Sequence, residues 1–265
     1  MKIPFLVRHT VRRVRDIFGT FANPWSILFA IVTRRRDVVF QVDQLRITTL
    51  NSPGAWGPVL EVFVEDEYAL DWFLADLPDD LVALDVGAHV GCFALELVRR
   101  FPHATVHSYE PTPSTGTYTQ RNVSSNGFDD QVTVHTMAVA ATRGTFTMAD
   151  NGPGRAHNGV LYLGQSGSTT IEVECRSLAD AVAEAGDRID LVKLDAEGAE
   201  YDILLGTDPA LLSTVRRFVL EFHPSAQHTY DEIRHHVESA GLTEVRRVDL
   251  GPDLGLAWFT RDPLD

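Results

Sequence analysis

The sequence predicts an α/β fold with a mostly parallel, seven-stranded sheet, and three observations favour it. Seven short apolar runs have the composition of strands, and helical patterns fill most of the gaps between them. Strands that alternate with helices form parallel sheets through crossover connections. The last two strands are separated only by residues 249–255, too few for a crossover helix. We therefore expect a C-terminal antiparallel hairpin at the end of the sheet.

The alternation of strands and helices extends from residue 81 to residue 260. Strands are expected at 81–86, 105–109, 132–138, 191–194, 218–222, 243–248 and 256–260, with helices at 91–101, 113–125, 177–186, 199–205 and 229–240. Residues 142–174 interrupt it, because their Gly, Ser and Asn content predicts an irregular or hairpin insert. Long excursions of this kind often cover a binding site.

A basic N-terminal arm with a β-hairpin, residues 1–58, is expected to precede the main domain, residues 59–265. Apolar residues recur at helical spacing between Ile3 and Phe18, which predicts an amphipathic helix. Residues 38–50 have the pattern of a strand or hairpin, and a turn-rich segment follows at 51–54. A further helix is expected near residues 67–77.

The composition is that of an ordinary globular chain with an uneven charge. The 265 residues are 44% hydrophobic and 23% charged, which argues against disorder. Two cysteines exclude a disulfide scaffold and favour a reducing compartment, so we expect a cytoplasmic protein. Residues 1–36 hold eight Lys and Arg against one acid, whereas the remainder holds fifteen against 36. Such an acidic body repels polyphosphate, so nucleic acid is not expected as a partner.

The basic arm has two interpretations. Its longest apolar stretch, residues 25–32, is shorter than the roughly 20 residues that a membrane span needs. A basic amphipathic helix is typical of peripheral attachment to an anionic membrane surface. Alternatively, the helix packs on the main domain or at a homodimer interface, and this second interpretation is the one we favour from the sequence.

Residues 81–93, LVALDVGAHVGCF, carry the most informative motif. An apolar strand ends in Asp85, a turn of small residues follows, and a helix begins near Gly91. Glycines let a backbone approach a ligand at a helix N-terminus, beyond the carboxyl ends of the strands. The dinucleotide fingerprint G-x-G-x-x-G fails, because His89 and Cys92 stand where it needs glycine. A nicotinamide- or flavin-dependent dehydrogenase is therefore disfavoured.

A second signal is Glu110, which ends the next strand 19 residues after Gly91. A carboxylate at this position can accept hydrogen bonds from both ribose hydroxyls of a nucleoside. The alternative is an acid that only caps a turn. Together the two signals predict a nucleoside-containing cofactor.

With these motifs the sequence resembles the FkbM family of S-adenosylmethionine-dependent methyltransferases, which has the Rossmann-like class I methyltransferase fold. The resemblance rests on DVGAHVG at 85–91, YEP at 109–111, Asn122 with Asn126-Gly127, SLAD at 177–180, IDLVKLDAEGAE at 189–200 and VLEFHP at 219–224. One departure is His89, where asparagine is expected in this family. The resemblance implies methyl transfer to oxygen, usually a hydroxyl of a sugar, glycan or polyketide-type product.

The resemblance also implies a site for S-adenosylmethionine. Its predicted contacts are Asp85, Gly87, Ala88, His89, Gly91, Glu110, Ala138 and Asp195. Glu110 would hold the ribose, and the region of Ala138 would lie beside the adenine.

The chemistry is expected where two neighbouring strands end. Methyl transfer to a hydroxyl needs a positioned acceptor and a base or metal to deal with its proton. Alternation places Lys193 and Asp195 on one side of a strand, and Glu221 and His223 on one side of the next. We predict His223 as the general base, with Asp195 as the second candidate. Glu221 and Lys193 complete the predicted catalytic set, and Glu197 is predicted to contact the acceptor.

Three further expectations concern the same region. Asp195 and Glu221 would bind Mg²⁺ if the reaction uses a metal. Glu200 is expected to interact with the dipole of its helix. In the insert, the candidate acceptor contacts are Arg155, His157, Asn158 and Tyr162.

The predicted activity is O-methylation of a small-molecule or oligosaccharide acceptor. An N-methyltransferase remains an alternative, as does a membrane-associated, cofactor-binding protein without catalysis.

Overall fold

The computed structural model describes residues 5–150, 152 and 169–264, without the side chains of residues 5–12 and of Pro53. The helices are α1 (Phe5–Thr20), α2 (Pro24–Val32), α3 (Pro53–Phe63), α4 (Leu70–Phe73), α5 (Cys92–Arg100), α6 (Pro113–Ser125), α7 (Leu178–Ala185), α8 (Glu200–Leu205), α9 (Pro209–Leu212) and α10 (Tyr230–Ser239). The strands are β1 (Asp37–Val42), β2 (Leu45–Leu50), β3 (Val82–Val86), β4 (Thr105–Tyr109), β5 (Val132–His135), β6 (Ala138–Ala140), β7 (Gly144–Asp150), β8 (Thr169–Ser177), β9 (Ile189–Leu194), β10 (Val215–Phe222), β11 (Thr243–Gly251) and β12 (Leu254–Thr260).

A seven-stranded sheet forms the centre, in the order β11-β12-β10-β9-β3-β4-β5. The five strands from β10 to β5 pair in parallel, as the alternation of strands and helices predicted. Strand β12 pairs antiparallel with both β10 and β11. The predicted C-terminal hairpin is therefore present, with its second strand inserted beside β10. The predicted α/β fold with a mostly parallel, seven-stranded sheet is confirmed.

Two apolar clusters cover the two faces of this sheet. One joins α3 and α5 to side chains of the arm and of the β1–β2 hairpin. The other contains residues of α7, α8 and α10. Because both faces are covered, the central strands are buried along their length, with β9 buried at every position. Continuous burial explains why the sequences of these strands are mostly apolar.

Three local predictions need correction. The expected strand at 132–138 is divided into β5 and β6, and β6 leaves the main sheet to pair with β8. The helix expected near 67–77 is the shorter α4, and it begins only at Leu70 because Ala69 before it has a left-handed backbone, with φ 51°. The segment at 51–54 begins α3, since the Ser52 side chain accepts the N–H of Ala55 and Pro53 occupies the first helical position.

The insert is in part a hairpin, as predicted. Strand β7 pairs antiparallel with β8, and together with β6 they form a separate three-stranded sheet. The tip between them, residue 151 and residues 153–168, lies outside the described residues. The predicted acceptor contacts Arg155, His157, Asn158 and Tyr162 all fall in this tip.

Candidate active site

The glycine-containing loop after β3 is held at the carboxyl end of the sheet. The backbone N–H groups of Gly87 and Ala88 both donate to the carbonyl of Tyr109, each over 3.0 Å. Gly87 has a left-handed backbone, with φ 79°, and a Cβ there would lie 1.7 Å from the Asp195 carbonyl oxygen. Only glycine fits this position, because it lets the β3 and β9 ends approach each other.

His89 occupies the turn where the family resemblance led us to expect asparagine. Its φ is 50°, in the left-handed region where asparagine and histidine are both enriched. The substitution therefore preserves the backbone geometry of the loop. Gly91 follows with φ 87° and is the N-cap of α5, packed so closely on α6 that a Cβ would lie 3.1 Å from Cγ2 of Thr119.

Glu110 lies beside this loop at the end of β4. Its Oε2 accepts the N–H of His89 and its Oε1 accepts the N–H of Thr112, both over 2.9 Å. Burial raises the pKa of Glu110 to about 7. A carboxylate offers about four lone-pair sites, so each oxygen keeps capacity for a further donor. The same side chain can thus cap the turn and still accept a hydrogen bond from a ribose.

Asn122 connects the loop to the N-terminal hairpin. This buried amide on α6 accepts the N–H of Thr48 over 2.8 Å, and donates to the carbonyls of Thr48 and Val90 over 3.0 and 2.8 Å. One turn later, Asn126 accepts the N–H of Arg46 over 2.8 Å and donates to its carbonyl over 2.9 Å. The two asparagines of the family resemblance therefore serve as backbone partners for β2.

Lys193 is a buried cation beneath the loop. Its ammonium donates to the Gly87 carbonyl over 2.7 Å and to Oδ2 of Asp195 over 3.2 Å, and lies 3.5 Å from Oδ1 of Asp85. Burial disfavours its charge, but Asp195, Asp85 and Glu221 outweigh that effect and raise the pKa of Lys193. It therefore stays protonated and holds the ends of β3 and β9 together. Asp85, fully buried, neutralises it from below the loop.

His223 follows β10 and has an oriented ring. Its Nδ1 lies 3.0 Å from Oε1 of Glu200, which is fully buried and also accepts the N–H groups of Ala196 and Gly198. Its Nε2 lies 3.6 Å from Oε2 of Glu197 and 4.0 Å from Oε1 of Glu221. Glu200 therefore does more than the helix-dipole role expected of it, because it fixes the ring.

The carboxylates around His223 make the site strongly acidic. Burial disfavours the charge of His223, but the Glu200 hydrogen bond and the charges of Glu200, Asp195 and Glu197 raise its pKa to about 10. Burial and the Asp195 charge raise the pKa of Glu197 to about 8 and that of Glu221 well above its usual range. Protons are therefore retained in this group at neutral pH.

Two acidic side chains of the site, Glu61 and Glu67, lie before residue 81, where the predicted alternation of strands and helices begins. The sequence did not identify them as site residues. Burial, with the charges of Glu67 and Asp195, raises the pKa of Glu61 to about 8. Burial, with Glu65 and Asp195, also raises the pKa of Glu67. Tyr68 follows, and its ring centroid lies 5.7 Å from the Lys193 ammonium. No sequence signal identified these residues, because α3 and the loop after it contribute them from outside the recognised motifs.

The structure brings together most of the predicted site residues. Asp195, Glu197 and His223 offer ligand atoms that all lie within 4.8 Å of one another and could hold a metal ion. This group shares Asp195 with the predicted Mg²⁺ pair, and His223 and Glu197 join it in place of Glu221. Ala138 begins β6 in the small sheet, where it is buried in a cluster with Met148 and Val173, and its contact with the adenine stays a prediction.

Comparison with known proteins finds relatives that include the following three. AMB antimetabolite synthetase AmbE of Pseudomonas aeruginosa is 32% identical over 62% of this chain, which spans only 9% of that protein. Methyltransferase sdnD of Sordaria araneosa is 26% identical over 81% of this chain and 93% of its own length. 31-O-demethyl-FK506 methyltransferase FkbM of Streptomyces tacrolimicus is 30% identical over 55% of this chain and 66% of its own length.

The family model of the methyltransferase FkbM domain matches residues 85–242. The matched region begins at the last part of β3 and includes the glycine-containing loop, Glu110, both asparagines of α6 and His223. It therefore contains most of the site described above, and the chain belongs to the FkbM family of methyltransferases.

Proposed function

We propose that the chain is an S-adenosylmethionine-dependent O-methyltransferase that acts on a hydroxyl of a saccharide or of a glycosylated or polyketide-type metabolite. When bound, S-adenosylmethionine supplies an electrophilic methyl group. Glu110 fits the ribose of this cofactor, because its carboxylate is fixed by two backbone N–H groups and keeps acceptor capacity. One relative bears a name that itself describes O-methylation, which supports oxygen as the acceptor atom.

The observation that carries the proposal is the pairing of His223 with Glu200 beside a ring of carboxylates. A hydroxyl must lose its proton as the new bond forms, so its methylation benefits from an oriented base. Glu200 fixes Nδ1 of His223 and leaves Nε2 directed toward Glu197 and Glu221. An acceptor hydroxyl beside Nε2 would pass its proton to the neutral ring.

His223 and Glu197 differ as candidate bases. The pKa of about 10 at His223 makes it a stronger base than Glu197 at about 8, which suits a weakly acidic hydroxyl. A group with a raised pKa gains its neutral, proton-accepting form as the pH rises through that value. We therefore expect turnover to increase between pH 8 and 10, and Glu197 as base would instead give a plateau above about 8.

The charge of the site favours an uncharged acceptor. Asp195, Glu197 and Glu221 lie around His223, while Glu61 and Glu67 approach Asp195 from α3 and the loop after it. Burial and mutual repulsion already keep protons on Glu61, Glu197 and Glu221 at neutral pH, so an anionic acceptor would add a negative charge that this site repels. A neutral hydroxyl compound, such as a saccharide, avoids this repulsion and can donate hydrogen bonds to the carboxylates.

Methyl-labelled S-adenosylmethionine, incubated with the protein and a panel of neutral and anionic hydroxylated acceptors, tests the proposal. We expect an O-methyl product, located by NMR, that is lost in His223→Gln and retained in His235→Gln. His235 is an exposed histidine on α10 and serves as the matched control. An N-methyl product would favour the alternative of an N-methyltransferase. Cofactor binding without turnover on any acceptor would favour a non-catalytic protein.

A divalent cation is the alternative to a protein base. Asp195, Glu197 and His223 could hold Mg²⁺ next to the acceptor and lower the pKa of its hydroxyl. Lys193, however, already donates to Oδ2 of Asp195 and neutralises part of the charge that a cation would use. The protein base is therefore the mechanism that we propose.

A further inference from the structure

The N-terminal arm presents an apolar surface outside the candidate active site. Among the described residues, five of the eight exposed large hydrophobic side chains lie on α1 and α2. The residues of this arm face are Val14, Phe18, Trp25, Phe29 and Val32. Trp25, Phe29 and Val32 are 73%, 56% and 79% exposed, which is far from the burial that such side chains usually reach. Clustered exposure of this kind marks an interaction site.

The arm face is continuous across both helices. Val14 and Phe18 are four residues apart on α1, and Trp25, Phe29 and Val32 repeat at four and three residues on α2. These spacings place each set on one side of its helix. The rings of Phe18 and Trp25 meet edge to face with centroids 5.0 Å apart, which joins the two sets.

The opposite side of the arm is packed firmly on the body. Ile27 and Phe21 are buried, and the Phe21 ring lies 5.0 Å from the ring of Phe40 in β1. Asn23, between the helices, accepts the N–H of Gln41 over 3.0 Å and donates to a β1 carbonyl over 2.9 Å. The arm face is thus a surface in a fixed orientation on a folded support.

Positive charge surrounds the arm face. Five exposed arginines occupy the described part of the arm: Arg13, Arg15, Arg34, Arg35 and Arg36. The guanidinium of Arg35 lies 5.2 Å from the centre of the Phe29 ring, so cation and apolar side chain are adjacent. The rest of the chain is strongly acidic, with fifteen basic and 36 acidic residues after position 36. An anionic surface would attract the arm and repel the body, which fixes the orientation of docking.

The length of the helices limits how the arm can meet a bilayer. None of the helices in the described residues is both long and apolar enough to span a membrane. The nine residues of α2 extend about 14 Å, at 1.5 Å per residue, about half of the hydrocarbon core. Aromatic side chains beside arginines are typical of helices that lie in the headgroup region.

We propose that the arm face docks the protein onto an anionic lipid bilayer. Trp25, Phe29 and Val32 would enter the headgroup region, and the neighbouring arginines would contact lipid phosphates. A second copy of the chain fits this surface less well, because two arm faces in contact would bring their arginines together. The proposal is independent of the methyltransferase activity and concerns only where the protein works.

Co-sedimentation of the full chain with vesicles tests the proposal. Vesicles of phosphatidylcholine alone are compared with vesicles that also contain phosphatidylglycerol, at low and at high salt. We expect binding only to the anionic vesicles, weakened by salt. Trp25→Ser combined with Phe29→Ser should reduce it by at least roughly tenfold through lost apolar burial. Arg34→Gln combined with Arg36→Gln should reduce it roughly 30-fold.

The matched control is Leu250→Ser, which replaces a side chain that is 50% exposed on β11, away from the arm. It should bind like the unchanged protein, and circular dichroism should show all variants folded. Equal binding to both vesicle types, or unchanged binding by the Trp25 and Phe29 variant, would overturn the proposal. So would a dimer in light scattering that ignores vesicles and dissociates in that variant, since the face would then belong to self-association.

Discussion

Replacing Glu110 with glutamine distinguishes the two roles of this side chain at the end of β4, which are contact with the cofactor ribose and capping of the turn. The carboxylate accepts two backbone N–H groups, from His89 and Thr112, and is 6% exposed. Glutamine keeps the shape but has only one acceptor oxygen and no charge. A hydrogen bond to a charged group contributes about 1.5–3 kcal/mol, so losing one to a ribose hydroxyl should raise the Kd for S-adenosylmethionine roughly 10- to 150-fold.

The free energy of unfolding of Glu110→Gln should change much less than its affinity for S-adenosylmethionine. The folded pKa of Glu110 is raised from 4.5 to about 7, so the stability linked to its protonated form is present below pH 4.5 and lost through pH 7. Above pH 7 the buried charge costs about 3 kcal/mol, at 1.36 kcal/mol per pKa unit. Glutamine removes this penalty but leaves one N–H unpaired, at about 1–3 kcal/mol. The two effects nearly cancel at pH 8.

Calorimetric titration with S-adenosylmethionine from pH 5.5 to 8 measures the change in affinity, and thermal unfolding measures the change in stability. The unchanged protein should bind progressively more weakly below pH 7, by up to about tenfold per pH unit, because the protonated carboxyl loses its acceptor charge. Glu110→Gln should be weak and nearly independent of pH in this range. A variant within about threefold of the unchanged protein at pH 8 would refute the ribose role and leave Glu110 as a turn cap.

Three other changes have defined outcomes. Gly87→Ala should lower the free energy of unfolding by at least about 3 kcal/mol in urea titration, because its Cβ would collide with the Asp195 carbonyl in a left-handed conformation. Asn122→Ala should lower it by about 3 kcal/mol, seen as a melting temperature roughly 6–12 °C lower, whereas the exposed Gln120→Ala on the same helix should not. Exhaustive chelation should leave methyl transfer intact, and loss that added Mg²⁺ restores would assign the proton step to a metal.

The sheet was predictable because its central strands are buried on both faces. Strand β4 and helix α6 lie where the sequence pattern placed them, and the other central elements differ by a few residues at their ends. Prediction was wrong where a single backbone conformation decides the outcome. Ala69, with φ 51°, excludes residues 67–69 from α4, and no residue-type preference predicts a left-handed alanine.

The site was predictable to the extent that it follows the sheet. Asp195 and His223 come after neighbouring parallel strands, and parallel strands end at one edge, so their proximity follows from topology. Glu61 and Glu67 reach the same place from α3 and the loop after it, which no strand order specifies. The role of Glu200 was also hidden, because its side chain turns back to its own loop and to His223.

Asn122 and Asn126 belong to the recognised family motifs, but their structural role could not be derived from the sequence. Residues four apart on a helix are separated by about 6 Å along its axis, and alternate residues of a strand by nearly 7 Å. The two amides of α6 can therefore hydrogen-bond the backbone of two alternate residues of β2, Arg46 and Thr48, as a neighbouring strand would. The partners lie 74 and 80 residues away, so no local pattern connects them. Because Asn122 also binds the Val90 carbonyl, the hairpin and the glycine-containing loop are held by the same side chain.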